Sequence, residues 1–481
     1  MEPLGADKPR EYCGVFGIFA PGLDVARFTF YGLFALQHRG QESAGIAVAD
    51  GRRVHLHKGM GLVPEVFDEG TLSELRGHIA IGHVRYSTTG TSHPVNAQPL
   101  VFRYARGTLG LAHNGNLTNA ARLRRELAAA GAVFQTATDS EIIVNMIARH
   151  GREPLEFSLL ACMREITGAY SLVLLTEEKL VAARDPYGFR PLCLGRLGDP
   201  ARSGTDGWVV ASESCALDTV GAEFVRDINP GEIVVADADG LRSLAGPAAP
   251  RQAHCVFEYI YFARADSCLD GFGVNGVRRE FGRELAREYR PAADIVLPVP
   301  DSGIPAARGY AEEAGLPFEE GLMKNRYIGR TFIQPDQRMR DLGVRLKLNP
   351  IREVLAGKRV VLIDDSLVRG TTSGKIVRLL REAGAREVHL CLSSPPISHP
   401  CFFGIDTSNE KELIAAQKPV EEIRRFVGAD SLYYLSLEGL LRVFGDFAPH
   451  LCTACFSGFY PVEIAPPGEG GKFALEEAVC L

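Results

Sequence analysis

Several features are missing from this sequence, and each absence excludes a class of protein. No apolar run is long enough to cross a bilayer, and the amino terminus lacks the basic-then-apolar order of a secretory signal. Acidic residues outnumber basic ones by 59 to 53, and the net charge of −6 gives no electrostatic reason to expect nucleic-acid binding. There is no internal repeat and no low-complexity tract. We therefore expect a soluble protein of the cytoplasm that binds neither membranes nor nucleic acids.

Cysteine is also too sparse for a disulfide-stabilised scaffold. Eleven cysteines in 481 residues are few, and their clustering suggests individual tasks. The composition is otherwise ordinary, with 46% hydrophobic residues, 23% charged residues and a mean hydropathy near zero. A chain of this length is expected to form two or three domains, each of which can bury a core.

The pattern of apolar residues predicts two architectures along the chain. Residues 1–12 are polar and lack periodicity. Strand-like segments follow, with helical patterns at residues 117–130 and 140–149, which predicts an α+β sandwich up to about residue 245. After a Gly/Ala/Pro-rich stretch at residues 244–250, strands alternate with helices, which is typical of an α/β fold with a parallel sheet. The predicted elements of this second region are 295–299, 306–314, 360–363, 373–383 and 388–392.

One segment of the second region predicts a phosphate site. Residues 360–373 read VVLIDDSLVRGTTS, so a buried strand ends in two carboxylates and a Gly/Thr/Ser loop opens a helix. Free backbone N–H groups at a helix N-terminus suit a phosphate, and Asp364 and Asp365 can accept bonds from ribose hydroxyls or approach Mg²⁺. The Gly-Lys-Ser/Thr ending of a Walker loop is missing. The alternative is an acidic surface turn, which the ordered run of residues disfavours.

The segment CGVFG at residues 13–17 is notable because it lies close to the amino terminus. If residues 1–12 are removed, Cys13 carries both a thiol and a free α-amine. The pKa of such an amine, about 8, is close enough to neutrality for a general base. The amine could accept the thiol proton directly or through one water, so no separate histidine is needed.

Four further motifs follow this segment in order. They read HRGQESAG at residues 38–45, GHVRYST at 82–88, HNGNL at 113–117 and TDSE at 138–141. Together with CGVFG they resemble the glutaminase domain of class II glutamine amidotransferases, which implies an N-terminal-nucleophile (Ntn) hydrolase sandwich. The alternative, in which these are surface charges and an Asn-Gly hairpin turn, is disfavoured by the complete set.

This resemblance implies a role for five residues. Cys13 attacks the glutamine carboxamide, while the Asn114 side-chain amide and the Gly115 backbone N–H form the oxyanion hole. Arg85 suits the α-carboxylate of glutamine through its planar fork of donors, and Asp139 suits the α-ammonium group. Three histidines of these motifs are expected to be structural: His38, His83 and His113.

The segment at residues 360–373 resembles the fingerprint of type I phosphoribosyltransferases, which hold phosphoribosyl pyrophosphate (PRPP). The sequence PVPDSG at residues 298–303 matches the pyrophosphate-side loop of that family. The sequence LMKNRYIGRTF at residues 322–332 corresponds to a mobile loop that closes over PRPP, although a solvated charged face is the alternative. The implied PRPP contacts are Lys324, Asp364, Asp365, Ser366, Arg369, Gly370, Thr371 and Thr372. The implied Mg²⁺ ligands are Ser302, Asp364 and Asp365.

The two halves together resemble one family across nearly the whole chain, the amidophosphoribosyltransferases of purine synthesis. The resemblance implies conversion of PRPP, glutamine and water to 5-phosphoribosylamine, glutamate and pyrophosphate, with ammonia passing internally between the sites. It also implies a homotetramer that is inhibited by purine nucleotides. The implied divisions are a propeptide at 1–12, the Ntn glutaminase domain at 13–245, the phosphoribosyltransferase domain with an iron–sulfur-binding carboxyl-terminal segment at 246–465, and a tail at 466–481.

Two alternatives fit the sequence less well: another amidotransferase enzyme, and a regulator, which is a different class of protein. An enzyme similar to glucosamine-6-phosphate synthase would share the glutaminase half, but the segment at residues 360–373 argues against a sugar-isomerase half. A PRPP-sensing regulator would have no use for a maturable Cys13, an Asn-Gly oxyanion pair or Arg85. An intact Met1 in the functional protein would favour the regulator.

Four cysteines divide this family into branches. The sequence CTAC at residues 452–455 has a spacing that suits one metal centre, although zinc, redox and purely structural interpretations compete. The resemblance implies that Cys452 and Cys455, with Cys255 and Cys401, are the ligands of a [4Fe–4S] cluster with a structural role. The same branch carries an amino-terminal propeptide. Four thiolates could also hold zinc.

Overall fold

The computed structural model describes residues 13–86, 91–198, 207–325, 348–407, 409–464 and 475. No helix within these ranges is both long and apolar enough to span a membrane. The predicted propeptide lies outside the described residues, as do residues 326–332 of the predicted PRPP loop and the tail except for Leu475.

The amino-terminal region is a sandwich of two antiparallel sheets. In the described part, seven strands pair in the order β11-β9-β10-β1-β4-β2-β3, and six pair in the order β13-β12-β8-β7-β6-β5. This confirms the predicted α+β sandwich. The strands are β1 Gly14–Phe19, β2 Ser43–Ala49, β3 Val54–Met60, β4 Ile79–Arg85, β5 Leu100–Tyr104, β6 Gly107–Leu117, β7 Gly168–Leu175, β8 Leu180–Arg184, β9 Cys193–Leu197, β10 Gly207–Ala211, β11 Glu223–Asp227, β12 Glu232–Asp237 and β13 Gly240–Ala245. The helices are α1 Val25–Ala35, α2 Val63–Val66, α3 Glu69–Glu74, α4 Ala120–Ala129, α5 Ser140–Arg149, α6 Leu155–Met163 and α7 Ser214–Val220.

Strand β1 is apolar on both faces because it is covered on both sides. Val15 and Phe19 pack into the core between the two sheets, whereas Phe16 and Ile18 pack into the core that includes α1. This alternation is the period of two expected of a strand. Burying each of these side chains contributes about 1.5–3 kcal/mol, so the segment that follows Cys13 is held firmly.

Two predicted helices can be compared with the structure. The helix predicted at residues 140–149 is confirmed as α5. The start of the helix predicted at residues 117–130 was wrong, because β6 continues through Leu117, which pairs with Gly168 of β7, and α4 begins only at Ala120. The ladder hydrogen bonds of the sheet override the helical pattern of the first residues.

The carboxyl-terminal region contains the predicted parallel sheet, with described strands in the order β17-β20-β21-β22. The strands are β14 His254–Cys255, β15 Cys268–Leu269, β16 Phe272–Gly273, β17 Ile295–Pro298, β18 Leu322–Lys324, β19 Leu348–Pro350, β20 Arg359–Asp364, β21 Glu387–Leu392, β22 Ser431–Tyr434 and β23 Leu451–Cys452. The helices are α8 Val274–Glu288, α9 Ile304–Ala314, α10 Arg352–Leu355, α11 Thr371–Glu382, α12 Ile414–Gln417, α13 Val420–Val427, α14 Leu437–Arg442 and α15 Ala454–Ser457. Short 3₁₀ turns occur at Gln37–Arg39, Pro94–Asn96, Glu410–Glu412 and Gly445–His450, and a π-helical turn at Glu258–Phe262.

The two regions pack against each other through apolar and polar contacts. The ring of Phe189, from the loop after β8, stacks on Phe403 with centroids 4.3 Å apart. The side chain of Asn116 in β6 donates to the carbonyl of Phe402 at 2.9 Å. The end of the strand that carries Asn114 is therefore in direct contact with the loop that carries Cys401.

Candidate functional site

Cys13 lies directly before β1, where that strand pairs with β4 through Gly14 and Val84. Its thiol is buried and donates to the carbonyl of Tyr86 at 3.4 Å. Burial raises the pKa of Cys13 to about 11, although the hydrogen bond to Tyr86 and the charge of Arg85 oppose this shift. With residues 1–12 in place, the thiol is therefore protonated near neutral pH and needs a base to become a nucleophile.

Three charged side chains surround this thiol. The charges of Arg85, Glu42 and Asp139 all act on the pKa of Cys13, the first lowering it and the two carboxylates raising it. Arg85 ends β4, is buried, and places Nη1 3.8 Å from Oε2 of Glu42. Asp139 precedes α5, and its Oδ2 accepts from the backbone N–H of Leu117 at 2.9 Å. One cation and one anion from the predicted set thus lie near Cys13, as recognition of an amino acid requires.

Asn114 and Gly115 lie within β6, which belongs to the second sheet. The side chain of Asn114 is fully buried, and neither Oδ1 nor Nδ2 has a hydrogen-bond partner among the described residues. Such a buried amide is costly unless a ligand satisfies it. Gly115 has φ +149°, and a Cβ there would lie 2.0 Å from the carbonyl oxygen of Ala169, so only glycine fits.

The histidines near this site make structural contacts, as predicted. His83 Nε2 lies 3.0 Å from the carbonyl of His113, and His113 Nδ1 lies 3.0 Å from the hydroxyl of Ser140. Burial lowers the pKa of both imidazoles, that of His83 to about 3, so His83 is neutral at physiological pH. His38 binds the Glu213 carboxylate through Nε2 at 2.7 Å.

The predicted PRPP site lies at the carboxyl end of the parallel sheet. Strand β20 ends at Asp364, and Asp364, Asp365 and Ser366 are buried. The backbone N–H of Asp365 donates to Oδ1 of Asp364 at 2.9 Å, and the Ser366 hydroxyl donates to Oδ1 of Asp365 at 2.7 Å. Ser302, in the loop after β17, donates its hydroxyl to Oδ2 of Asp365. The structure therefore brings the three predicted Mg²⁺ ligands to one edge of the sheet.

The loop and helix after Ser366 present backbone and side-chain donors. Gly370 has φ +77° and immediately precedes Thr371, the first residue of α11, so the N–H groups of the first helical turn are at the predicted phosphate position. Arg369 is paired with Glu412, and Lys324 of β18 is paired with Asp301. Both cations lie on segments that border the site. To bind a phosphate, each would have to break its ion pair with the carboxylate.

The four predicted metal-binding cysteines are buried in one apolar cluster. Cys255 and Cys452 lie opposite each other in the short parallel ladder of β14 and β23. The carbonyl of Cys455 accepts backbone bonds from residues 398 and 399, and Sγ of Cys401 accepts from the N–H of Phe403 at 3.4 Å. The loop of Cys401, the short helix α15 that contains Cys455, and the β14–β23 ladder therefore meet at these thiols.

Burial and the proximity of other thiols raise the pKa values of three of these cysteines. Burial raises the pKa of Cys401 to about 11, with Cys255 adding to the shift. Burial also raises the pKa values of Cys452 and Cys455, and the neighbouring cysteines raise them further. None of the four forms a disulfide bond. As they stand, no three or more His, Cys, Asp or Glu side chains in the described ranges are arranged to hold a metal ion. The donor set suits a metal that binds soft thiolates, and the side chains would have to converge around it.

Sequence reasoning missed two charged residues of these sites. Glu42 was part of a recognised motif, yet its position beside Arg85 depends on the β2–β4 pairing, in which its neighbour Ser43 opposes Arg85. Arg278 of α8 is buried near Asp365; burial lowers its pKa to about 10, and the Asp365 carboxylate opposes this shift. The sequence around Arg278 carries no signal that would have identified it.

Comparisons with known proteins match two domain families to different parts of the chain. The glutamine amidotransferase domain family matches residues 83–219, and the phosphoribosyl transferase domain family matches residues 278–396. Amidophosphoribosyltransferase of Synechococcus elongatus is 52% identical over 472 residues, which is 98% of this chain and 95% of the relative. The Bacillus subtilis enzyme of the same name is 50% identical over 460 residues, covering 95% of each protein.

Two solved structures are similar over nearly their whole length. The glutamine PRPP amidotransferase from B. subtilis, complexed with ADP and GMP, has a TM-score of 0.88 at 49% identity and covers 95% of this chain and 98% of that one. A structure described as the allosteric regulatory enzyme of purine biosynthesis has a TM-score of 0.90 at 49% identity, covering 96% and 99% of the two chains.

Proposed function

Because the chain belongs to the amidophosphoribosyltransferase family, we propose that Cys13 is its glutamine-cleaving nucleophile. The family reaction converts PRPP, glutamine and water to 5-phosphoribosylamine, glutamate and pyrophosphate, the first step of purine biosynthesis. The convergence of Arg85 and Asp139 on the Cys13 thiol carries the proposal, because these charges complement the carboxylate and ammonium groups of glutamine.

The nucleophile needs a base, and the proposed base is its own α-amine after residues 1–12 are removed. Cys13 is buried, and among the described residues around it the histidines are held in structural contacts. An α-amine with a pKa of about 8 can take the thiol proton near neutral pH. The Asn114 amide and the Gly115 N–H then stabilise the charge that develops on the carboxamide oxygen.

PRPP is proposed to bind at the carboxyl end of the parallel sheet. The 5′-phosphate would lie on the N–H groups of residues 370–372, with Asp364 and Asp365 at the ribose. Mg²⁺ would be held by the oxygens of Ser302, Asp364 and Asp365, which are hard ligands of the kind it prefers. When bound, Mg²⁺ would supply positive charge that stabilises the negative charge of the pyrophosphate. Lys324 and Arg369 add charge at the border of the site.

The four buried cysteines are proposed to hold a [4Fe–4S] cluster. Their support is the donor chemistry: four thiols share one apolar cluster, and their proximity helps to raise the pKa values of Cys401, Cys452 and Cys455. The cluster would tie the β14–β23 ladder to the loop of Cys401. Iron and acid-labile sulfide analysis distinguishes this cluster from zinc, which the same ligands can bind.

The assembly, regulation and location of the protein are also proposals. A B. subtilis relative was crystallised with ADP and GMP, which supports inhibition by purine nucleotides here. We expect a homotetramer in the cytoplasm, with a propeptide at 1–12, domains at 13–245 and 246–465, and a tail at 466–481. The second boundary is supported by the end of β13 at Ala245. Light scattering and inhibition assays with GMP and ADP test the first two points.

The decisive experiment measures glutamate and phosphoribosylamine formation together with the intact mass of the protein. The proposal predicts that active protein begins at Cys13. Cys13→Ala should form no product from glutamine but retain synthesis from ammonia. Loss of both activities in this variant, or glutamine turnover by protein that retains Met1, would overturn the assignment of the nucleophile.

A further inference from the structure

A buried carboxylate of the transferase half is shared by two arginines of the glutaminase half. Glu258 opens the π-helical turn that follows β14, and it is only 2% exposed. Its Oε2 accepts from Nη2 of Arg39 at 2.6 Å, and its Oε1 accepts from Nη1 of Arg190 at 3.3 Å. Both guanidinium groups are buried. Charges buried this deeply are tolerated only when their partners are held in place.

Arg39 is held from both halves of the protein. Its Nε donates to Glu213, which precedes α7 in the glutaminase half, while two of its other nitrogens face Glu258. Burial acts against the cation, but the two carboxylates outweigh it and raise the pKa of Arg39. Arg39 therefore remains charged, and its position depends on one carboxylate from each half.

The backbone beside Arg39 is packed tightly against the glutamine site. A Cβ on Gly40 would lie 2.6 Å from the backbone nitrogen of Arg85. A Cβ on Gly14, the neighbour of Cys13, would lie 3.4 Å from Cβ of Arg39. The Arg39–Gly40 segment therefore packs closely against the backbones that carry Arg85 and Cys13, so a displacement of Arg39 is expected to move them.

We propose that Glu258 is a positioning residue of the glutamine site, contributed by the transferase half and acting through Arg39. It does not contact glutamine. It holds Arg39 so that the adjoining segments keep the Arg85 guanidinium at the position of the substrate carboxylate. The inference rests on the proposed role of Arg85 in glutamine binding. If Glu258 has this role, the affinity for glutamine depends on how the segment that contains Cys255 and Glu258 docks against the glutaminase half.

The test compares glutamine-dependent and ammonia-dependent synthesis in substitutions of Glu258. Glu258→Gln keeps the shape and removes the charge, so the KM for glutamine should rise about tenfold, while the ammonia-dependent rate stays within about twofold of the parent. Glu258→Asp should restore part of the affinity. Glu421→Gln, which removes a carboxylate from an exposed pair with Arg424, is the matched control and should change neither rate.

A second set of variants keeps the inference testable if substitution of Glu258 also disturbs folding. If Glu258 acts through Arg39, the double variant Arg39→Gln/Glu258→Gln should have the same glutamine KM as Arg39→Gln alone. An additive rise in KM, an unchanged KM in Glu258→Gln, or a proportional loss of both activities overturns the inference.

Arg85→Lys distinguishes this inference from the proposal on which it rests. An unchanged glutamine KM in Arg85→Lys would show that the glutamine site itself is wrongly assigned. A raised KM in Arg85→Lys together with an unchanged KM in Glu258→Gln would overturn only the role of Glu258.

Discussion

Ser302 and Asp365 are joined by a hydrogen bond between their side chains, although they follow different strands of the parallel sheet. Their proximity comes from the β17–β20 pairing, in which Pro298 lies opposite Ile363. The second oxygen of the Asp365 carboxylate accepts from Ser366. Two hydroxyls therefore orient this carboxylate before any ligand binds, which limits the reorganisation that binding requires.

Asp365→Asn should lower the rate of phosphoribosylamine formation more than about 100-fold with either glutamine or ammonia, because charge stabilisation worth several kcal/mol is lost. The measurement is the steady-state rate at saturating PRPP and Mg²⁺. Asp294→Asn is the control, because Asp294 pairs with Arg359 at the opposite end of β20. A parent-like rate in Asp365→Asn would remove this residue from the transferase site.

Asn114→Ala should lower kcat for glutamine about 10²–10³-fold, the usual effect of losing one oxyanion donor. Ammonia-dependent synthesis should be unchanged, and the thermal unfolding temperature should fall little, because the amide has no hydrogen-bond partner in the described structure. Asn145→Ala, which removes an amide from α5 outside the site, serves as control. Equal loss of both activities would indicate a structural role instead.

Cys455→Ser should abolish the visible absorbance and the iron and sulfide content, and it should lower the unfolding temperature. A serine hydroxyl is a poor ligand for iron compared with a thiolate. Cys268→Ser is the matched control, because Cys268 is half-buried and lies in the separate β15–β16 hairpin. Full iron content in Cys455→Ser, or zinc in the parent protein, would contradict the proposed cluster.

The stability of the glutaminase half should fall as pH decreases below about 6.5. Burial lowers the pKa of His83 from 6.5 to about 3, so between these values the unfolded chain binds the extra proton and the folded chain does not. The contribution of neutral, buried His83 to the free energy of unfolding is complete above pH 6.5. This contribution decreases as the pH falls toward 3, by up to about 1.4 kcal/mol per pH unit.

His83→Gln should therefore flatten the decrease in unfolding temperature between neutral pH and pH 5, since glutamine can donate to the His113 carbonyl without titrating. His55→Gln, at a half-exposed position of β3, should leave the decrease unchanged. Identical pH profiles for the parent and His83→Gln would show that other groups control acid stability.

The sequence predicted those parts of the sites that are contiguous in the chain. The strand, loop and helix around Asp364 and Asp365 follow from residue order alone, because an apolar run, two carboxylates and a glycine-led helix start are all local features. The two domain families were likewise recognisable from short ordered motifs. Local propensity failed at Leu117, where pairing with β7 extended a strand into the predicted helix.

Contacts between distant segments needed the tertiary structure. The sequence alone determined a glutaminase with Cys13 near its start, followed by a phosphoribosyltransferase. Only the fold decided that Glu42 lies beside Arg85, that Arg278 lies near Asp365, and that Glu258 binds Arg39. The physical reason is that ion pairs between segments far apart in the chain depend on strand register and domain docking. Strand register and domain docking produce no periodic pattern in the sequence around the paired residues.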